Sequence, residues 1–139
     1  MDAILLKDFF SKNDRFAKEN NMVIEKIKEG YAKTSMIVEK KHLNAADVAH
    51  GGAIFTLADF AFAIASNSYG TLALSINSSI SFINSAKEGD KLFAEAKEID
   101  KNFKLGSYCV MVTNQDDKTV ASFQGMVYKK DKKLLSEEL

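Results

Sequence analysis

The side chain that raises the first chemical question is Asp59, because it lies in an otherwise apolar stretch, HGGAIFTLADFAFAIASNS, at residues 50–68. An unpaired carboxylate in apolar surroundings is energetically costly. Two interpretations account for it: a structural contact to a neighbouring strand or subunit, or a catalytic role. The stretch also begins with Gly51 and Gly52. Glycine lets a helix start approach another backbone or a ligand closely, and the free N–H groups there favour a partly negative oxygen.

The spacing of these residues restricts what they can do together. Gly51 and Asp59 are eight positions apart, which is about 12 Å along a helix. Within one chain they cannot both contact the same carbonyl carbon. If both act in one reaction, we expect an antiparallel pair of these helices from two copies of the chain. Such a pair creates two sites, each with a glycine N–H from one chain and Asp59 from the other.

The polar and small residues of this helix fall on one side. At 100° per residue they occupy a sector of roughly 100°. These residues are Gly52, Thr56, Asp59, Ala63, Ser66 and Asn67. The apolar majority predicts burial against the chain's own sheet, and the narrow stripe predicts contact with a second partner.

One carboxylate and a backbone oxyanion site form a modest catalytic set. No Ser-His-Asp or Cys-His arrangement stands out, and the spacing of His42, His50 and Cys109 does not suggest zinc, so no metal or other cofactor is expected. Such a set suits a thioester, because a thiolate leaves more easily than an amine or an alkoxide. Glycine N–H groups would stabilise the developing oxyanion. Asp59 would either attack as nucleophile or activate a water.

Composition indicates an ordinary globular protein. Lys plus Arg and Asp plus Glu both number 19, so there is no basic excess of the kind that nucleic-acid binding needs. The N-terminus lacks the features of a secretion signal, and the apolar run of the 50s helix is too short to span a membrane. We therefore expect a cytoplasmic protein. Cys109, in an apolar run of strand character, is expected to be a buried structural thiol.

The order of elements favours an α+β domain over residues 1–139. We expect an N-terminal helix at about 2–19, a core at about 20–130 and a short charged tail. Within the core, Glu29-Gly30 predicts a hairpin, and after the central helix come four strands, at 71–85, 91–100, 104–115 and 118–130. This order predicts an antiparallel sheet wrapped around one long helix.

The stretch LNAADVAHGGAIFTLADFAFAIASNS resembles the signature of hotdog-fold acyl-CoA thioesterases of the phenylacetate-pathway (PaaI-like) type. The shared pattern is an Asn, six residues later His-Gly-Gly, then Leu-Ala-Asp-x-Ala-Phe and a trailing Asn-Ser. The resemblance implies the hotdog fold and hydrolysis of an acyl-CoA to free acid and CoA, where CoA is part of the substrate and not a cofactor. It also implies a homodimer with shared active sites and dimers that pair into tetramers.

The resemblance also assigns roles to residues. It makes Asp59 the nucleophile or general base, and gives the amide of Gly51, or alternatively that of Gly52, the task of polarising the thioester carbonyl. Asn44 helps to hold the attacking water or the carbonyl, and His50 fixes the helix entry and donates a hydrogen bond. The residues expected to contact the substrate are Gly52, Phe55, Thr56, Phe62 and a strand hydroxyl, Ser79 or alternatively Ser78.

The sequence departs from the family pattern in two places. Relatives commonly have a glycine one or three residues after the Asn, where this chain has Ala45 and Asp47, so the loop backbone is expected to differ. Many relatives carry Arg-Pro or Lys-Pro where this chain has Asn84 and Ser85. Lys87 has two interpretations: a contact for the CoA phosphates in place of that basic residue, or a solvated turn residue.

Other classes of function account for fewer of these sequence features. A non-catalytic acyl-CoA binder or sensor on the same fold is the main alternative, but such a protein can dispense with the carboxylate that Asp59 retains. A hotdog hydratase would need an Asp-x-Asn-Pro-x-His run, and the chain has no Pro. A small interaction module that uses the polar stripe only for dimerisation is the remaining alternative.

Overall fold

A computed structural model describes residues 1–135 of the chain. The helices are α1 (Ala3–Asn13), α2 (Arg15–Glu19) and α3 (Gly51–Asn67), with a 3₁₀ turn at Lys40–His42. The strands are β1 (Val23–Lys28), β2 (Tyr31–Ile37), β3 (Thr71–Phe82), β4 (Lys91–Lys101), β5 (Leu105–Thr113) and β6 (Thr119–Lys133). All neighbouring strands pair antiparallel in the order β1-β2-β4-β5-β6-β3. The predicted α+β arrangement of one sheet and one long helix is confirmed.

The β1–β2 hairpin turns at Glu29–Gly30 as predicted and is tied to the end of α3. Gly30 has φ 71°, a left-handed conformation that glycine adopts without steric cost. Its N–H donates to Ser68 Oγ at 2.8 Å, and a Cβ at this position would lie 2.9 Å from the Tyr69 hydroxyl. The hairpin therefore fixes the C-terminal end of α3 against the sheet.

Helix α3 packs mainly across β2, β4 and β5. Its buried apolar residues are Ile54, Leu57, Ala58, Phe60, Ala61, Phe62, Ile64 and Ala65. The sheet meets the helix with small residues, since Ala32, Ala94 and Ala96 are all fully buried. This close packing gives α3 a fixed position, so the residues on its open side are held by the core of the domain.

The N-terminal segment forms two helices, so the prediction of one helix over residues 2–19 is wrong. The chain leaves the helical conformation at Asp14, which has ψ 89°. The Asp14 carboxylate then accepts the N–H of Ala17 at 3.1 Å and so caps α2. Leu6 of α1 and Ala17 of α2 are each 1% exposed, which anchors both helices to the rest of the fold.

Two further sequence predictions need correction. Ser66 and Asn67 do not belong to an open stripe but are buried, because Asn67 exchanges hydrogen bonds with the backbone of Ala73 and so ties α3 to β3. Cys109 is half-buried, since it alternates with the fully buried Tyr108 and Val110 and lies on the opposite face of the sheet. Within residues 1–135, no helix is long and apolar enough to cross a membrane.

Candidate active site

The start of α3 leaves one amide without a partner. His50 is the N-cap, and its Nδ1 accepts the N–H of Gly52 at 2.8 Å. The N–H groups of Ala53 and Ile54 both donate to the carbonyl oxygen of His50. Among the described residues, nothing accepts the N–H of Gly51. The structure therefore separates two amides that the sequence left as alternatives, because Gly52 is used within the helix cap and Gly51 is available to a ligand.

Gly51 is also covered closely by an aromatic ring. A Cβ at this position would lie 3.0 Å from Cζ of Phe82, at the end of β3. Phe82 itself is 53% exposed, so its ring lies over the helix start at the surface. The absence of a side chain at Gly51 is what lets the ring approach this closely.

Asn44 organises the loop that leads to the helix. Its Oδ1 accepts the N–H groups of Ala46 at 2.9 Å and Val48 at 3.3 Å, and its backbone N–H donates to Val48 O at 2.8 Å. A bridge between Leu43 and Ala49 closes the loop. Two backbone donors therefore fix Oδ1, and the loop makes no use of the Nδ2 donor. Nδ2 has no acceptor among residues 1–135, which leaves it able to donate to a carbonyl or a water.

Asp47 adopts a left-handed backbone conformation within this loop. It has φ 61°, in the left-handed region that Asp tolerates better than most residues. Asp47 completes the turn with its own N–H, which donates to Asn44 O at 3.0 Å.

Asp59 has no hydrogen bond or ion pair with any described residue, although it is half-buried. Burial raises the pKa of Asp59 above its usual value of 3.8, and the negative charge of Asp14 raises it further. A bond to a neighbouring strand of the same chain, one of the two structural interpretations, is thus absent from residues 1–135. The carboxylate is left for a second subunit or for chemistry.

The serines of β3 lie on different faces of the sheet. Ser78 pairs with Gly125, over which the Phe62 ring of α3 packs, so Ser78 faces the helix. Ser79 pairs with Gln124 and faces away from the helix. Ser78, the alternative to Ser79, therefore shares the helix-facing side of the sheet, and the choice between the two hydroxyls stays a prediction. The alternation with Ile80, which packs against the core, was the signal that could have identified Ser78.

A second hydroxyl at this place was missed by the sequence analysis. The pairing of β3 with β6 shifts register between Ser75 and Asn77, which is the effect of a β-bulge. Ser75, which pairs with the buried Val127, comes to the same face as Ser78. Their hydroxyl oxygens are 3.2 Å apart. No local pattern in the sequence marks the bulge, so Ser75 could not have been found that way.

The other helix residues predicted to contact substrate have different environments. Gly52 is exposed and Thr56 is half-buried, with the Thr56 hydroxyl donating to Gly52 O at 2.7 Å. Phe55 is half-buried and packs edge-on against Phe123, with ring centroids 5.4 Å apart. Phe62 is only 1% exposed and lies over Gly125, where a Cβ would be 2.6 Å from its ring. The structure thus places Phe62 in the core of its own chain rather than on an open pocket wall.

The segment after β3 is held by its own backbone contacts. Asn84 donates its Nδ2 to Thr119 O at 2.7 Å, so it serves a structural role where relatives carry a basic residue. Ser85 and Lys87 are exposed, and the Lys87 N–H donates to Asp90 Oδ2 at 2.9 Å. The neighbouring Ala86 O accepts the N–H of Ala49 at 2.7 Å, which brings this segment beside the start of α3.

No group of three or more His, Cys, Asp or Glu side chains within residues 1–135 is arranged to hold a metal ion. His42, the second histidine, is buried and used structurally: Nδ1 accepts the N–H of Glu39 at 2.9 Å, and Nε2 lies 3.2 Å from Asn20 Oδ1. Burial lowers the pKa of His42. His42 therefore fixes the loop before Asn44 and is held in its neutral form.

The edge of the sheet beside the helix start is apolar and unpaired. β3 is the last strand of the sheet, bonded on one side to β6. Its exposed apolar residues, with Ile83 just beyond the strand, are Leu74, Ile76, Phe82 and Ile83, each between 47% and 56% exposed. An exposed, apolar edge strand is a template for pairing with another chain.

A single antiparallel sheet packed on one long central helix is the hotdog architecture. The chain matches the family profile "Thioesterase superfamily" over residues 46–121. It is 39% identical to the acyl-coenzyme A thioesterase PaaI of Escherichia coli over 82% of this chain and 81% of that protein. It is 50% identical to a putative esterase of Archaeoglobus fulgidus over 89% of this chain and 80% of that protein.

Structures of relatives agree with this similarity. The E. coli PaaI structure, from the phenylacetic acid degradation operon, superposes with a TM-score of 0.88, at 35% identity and covering 91% of each chain. A Streptococcus mutans protein bound to acetyl-CoA superposes with a TM-score of 0.78, at 31% identity, covering 81% of this chain and 91% of that one. The chain belongs to the thioesterase superfamily, as a PaaI-like hotdog protein, and is a thioester hydrolase.

Proposed function

We propose that the chain hydrolyses acyl-CoA thioesters at a site that two copies of the chain build together. The observation that carries this proposal is the helix start, where His50 occupies the Gly52 N–H and leaves the Gly51 N–H free. The similarity to an acyl-coenzyme A thioesterase and to a protein bound to acetyl-CoA supports CoA as the carrier of the acyl group.

The shared site follows from the length of α3. Gly51 and Asp59 lie on one continuous helix, about 12 Å apart along its axis. When two such helices run antiparallel and cross at Phe55, midway between the two positions, Gly51 of each copy faces Asp59 of the other. The exposed apolar edge of β3 offers a second surface for the same two-fold contact.

In this site the thioester carbonyl oxygen accepts the Gly51 N–H, with the helix dipole adding to the stabilisation of the oxyanion. Asp59 of the second copy takes a proton from a water that attacks the carbonyl carbon. The tetrahedral intermediate then collapses, the C–S bond breaks, and the leaving CoA thiolate takes the proton that Asp59 holds, which returns Asp59 to its ionised form. A raised pKa suits Asp59 to the role of general base. Asn44 Nδ2 and the Ser78 hydroxyl are the donors that orient the water.

The test is CoA release from acyl-CoA esters, followed with a thiol-reactive dye, in a matched pair of variants. Gly51→Pro removes the N–H at the first helical position, where proline is tolerated, whereas Gly51→Ala keeps it. We expect Gly51→Pro to lower kcat about 100-fold and Gly51→Ala to retain far more activity. Asp59→Asn should abolish release. Binding of acyl-CoA by the wild-type chain without release would instead support the non-catalytic binder.

A further inference from the structure

A crevice of about 250 Å³ lies between the N-terminal helices and α3. Its apolar walls include Phe10 of α1, Met22 and Val23 after α2, and Phe60 of α3, with Asp14 and Lys18 among its polar residues. Phe60 is 3% exposed, and Phe10 and Met22 are half-buried against the core. The crevice is thus a formed, mostly apolar recess with charged groups at its margin.

The crevice adjoins the proposed base. Phe60, one of its walls, follows Asp59 directly in α3. Asp14, another lining residue, is close enough for its charge to raise the pKa of Asp59. The crevice and Asp59 therefore lie on neighbouring parts of α3.

We propose that this crevice binds the acyl group of the thioester, so that the N-terminal helices determine acyl specificity. This inference rests on the proposed function. The volume corresponds to about eight groups of the size of a water molecule, which is the size of a single-ring aryl-acetyl group or a medium aliphatic chain. A longer chain would have to displace water from Asp14 and Lys18, which is unfavourable. The helices α1 and α2 lie outside the matched family region at 46–121.

Two substitutions change the crevice in opposite directions. Phe10→Ala enlarges it, and Ser11→Leu, at an exposed lining position of α1, fills it. We expect Phe10→Ala to raise KM for an eight-carbon acyl-CoA about tenfold and to favour longer chains, with a smaller effect on acetyl-CoA. Ser11→Leu should favour shorter chains. Phe16→Ala is the control, because Phe16 is 64% exposed and outside the crevice.

The measurement is kcat and KM for acyl-CoA esters from two to sixteen carbons and for phenylacetyl-CoA, with circular dichroism to verify folding. An unchanged acyl profile in a folded Ser11→Leu variant would overturn the inference even if Phe10→Ala failed to fold. A wild-type chain that releases CoA from none of these esters would overturn the proposed function instead. A shift in both variants with none in Phe16→Ala would establish the crevice as the acyl site.

Discussion

The imidazole of His50 accepts the N–H of Gly52 through Nδ1 at 2.8 Å, and this bond decides which amide of the double glycine is available to a ligand. The bond requires the neutral imidazole with its proton on Nε2. The bond also fixes the residue at which α3 begins. The N–H of Gly51, the first residue of the helix, has no acceptor among the described residues.

The first prediction concerns this helix cap. His50→Ala removes the acceptor of the Gly52 N–H and should lower the free energy of unfolding by about 1 kcal/mol, with a loss of kcat because the helix start frays. His50→Asn supplies another side-chain acceptor at the N-cap and should restore both stability and most of the activity. Urea unfolding and steady-state kinetics measure the two effects. If His50→Asn regains stability but has activity as low as that of His50→Ala, the imidazole has a role other than capping.

A second prediction follows from the charge of Asp14. Asp59 must be ionised to act as a base, and its pKa is raised by burial and then by Asp14. Asp14→Asn removes that negative charge but keeps a side-chain oxygen for the Ala17 N–H, so α2 stays capped. The pKa of Asp59 should fall, and the acidic limb of the kcat/KM profile should move to lower pH.

The control for this shift is Asp8→Asn. Asp8 is exposed on α1 and pairs with Lys12 at 3.0 Å. Its substitution should leave the pH profile unchanged. A profile that moves equally in both variants, or in neither, would show that Asp14 does not act on Asp59 in the active enzyme.

A third prediction compares two adjacent serines. Ser78 faces the helix and Ser79 faces the other side of the sheet. Ser78→Ala should lower kcat about tenfold or more through loss of a donor to the water, whereas Ser79→Ala should leave kcat unchanged. Because the Ser78 hydroxyl lies 3.2 Å from that of Ser75 whereas Ser79 is exposed, urea unfolding of both variants separates an effect on kcat from one on stability. The reverse order of activities would contradict the orientation of β3.

The fourth prediction concerns the loop that positions Asn44. Asp47 has φ 61°, so Asp47→Val should cost about 1–2 kcal/mol of stability and lower kcat by displacing Asn44. Asp47→Gly should stay within about 0.5 kcal/mol of the wild type, because glycine accepts this conformation. Ala46→Val, at the exposed preceding residue, is the control. A higher midpoint of thermal unfolding for Asp47→Val than for Asp47→Gly would contradict the loop geometry.

Much of the fold and part of the site could be predicted from local sequence. The apolar length of α3, the Glu29–Gly30 turn and the four later strands follow from hydrophobic pattern and turn chemistry, which are local properties. The spacing between Gly51 and Asp59 is likewise fixed once the helix is recognised. The prediction that a second chain completes the site follows from that spacing and the helical rise, with no tertiary information required.

The features that the sequence could not supply depend on packing between distant segments. The bulge that turns Ser75 toward the helix arises from the pairing of β3 with β6. The sequence does not distinguish Phe62 from Phe55, because both are phenylalanines in an apolar helix. Phe62 belongs to the core because its ring packs over Gly125, which has no side chain. The residues on both sides of Asp14 have a helical pattern, so the sequence predicts one helix. The helix is interrupted at Asp14 because its side chain accepts the Ala17 N–H and so caps α2.

The most direct test of the shared site is complementation between two inactive variants. In a mixed dimer of Gly51→Pro and Asp59→Asn, one site carries both defects and the other combines an intact Gly51 amide with an intact Asp59. Random assembly of equal amounts of the two chains should then restore about one quarter of wild-type CoA release. Each variant alone, and mixtures prevented from exchanging subunits, should remain inactive. Co-expressed variants that form mixed dimers without recovering activity would contradict a site built from two copies of the chain.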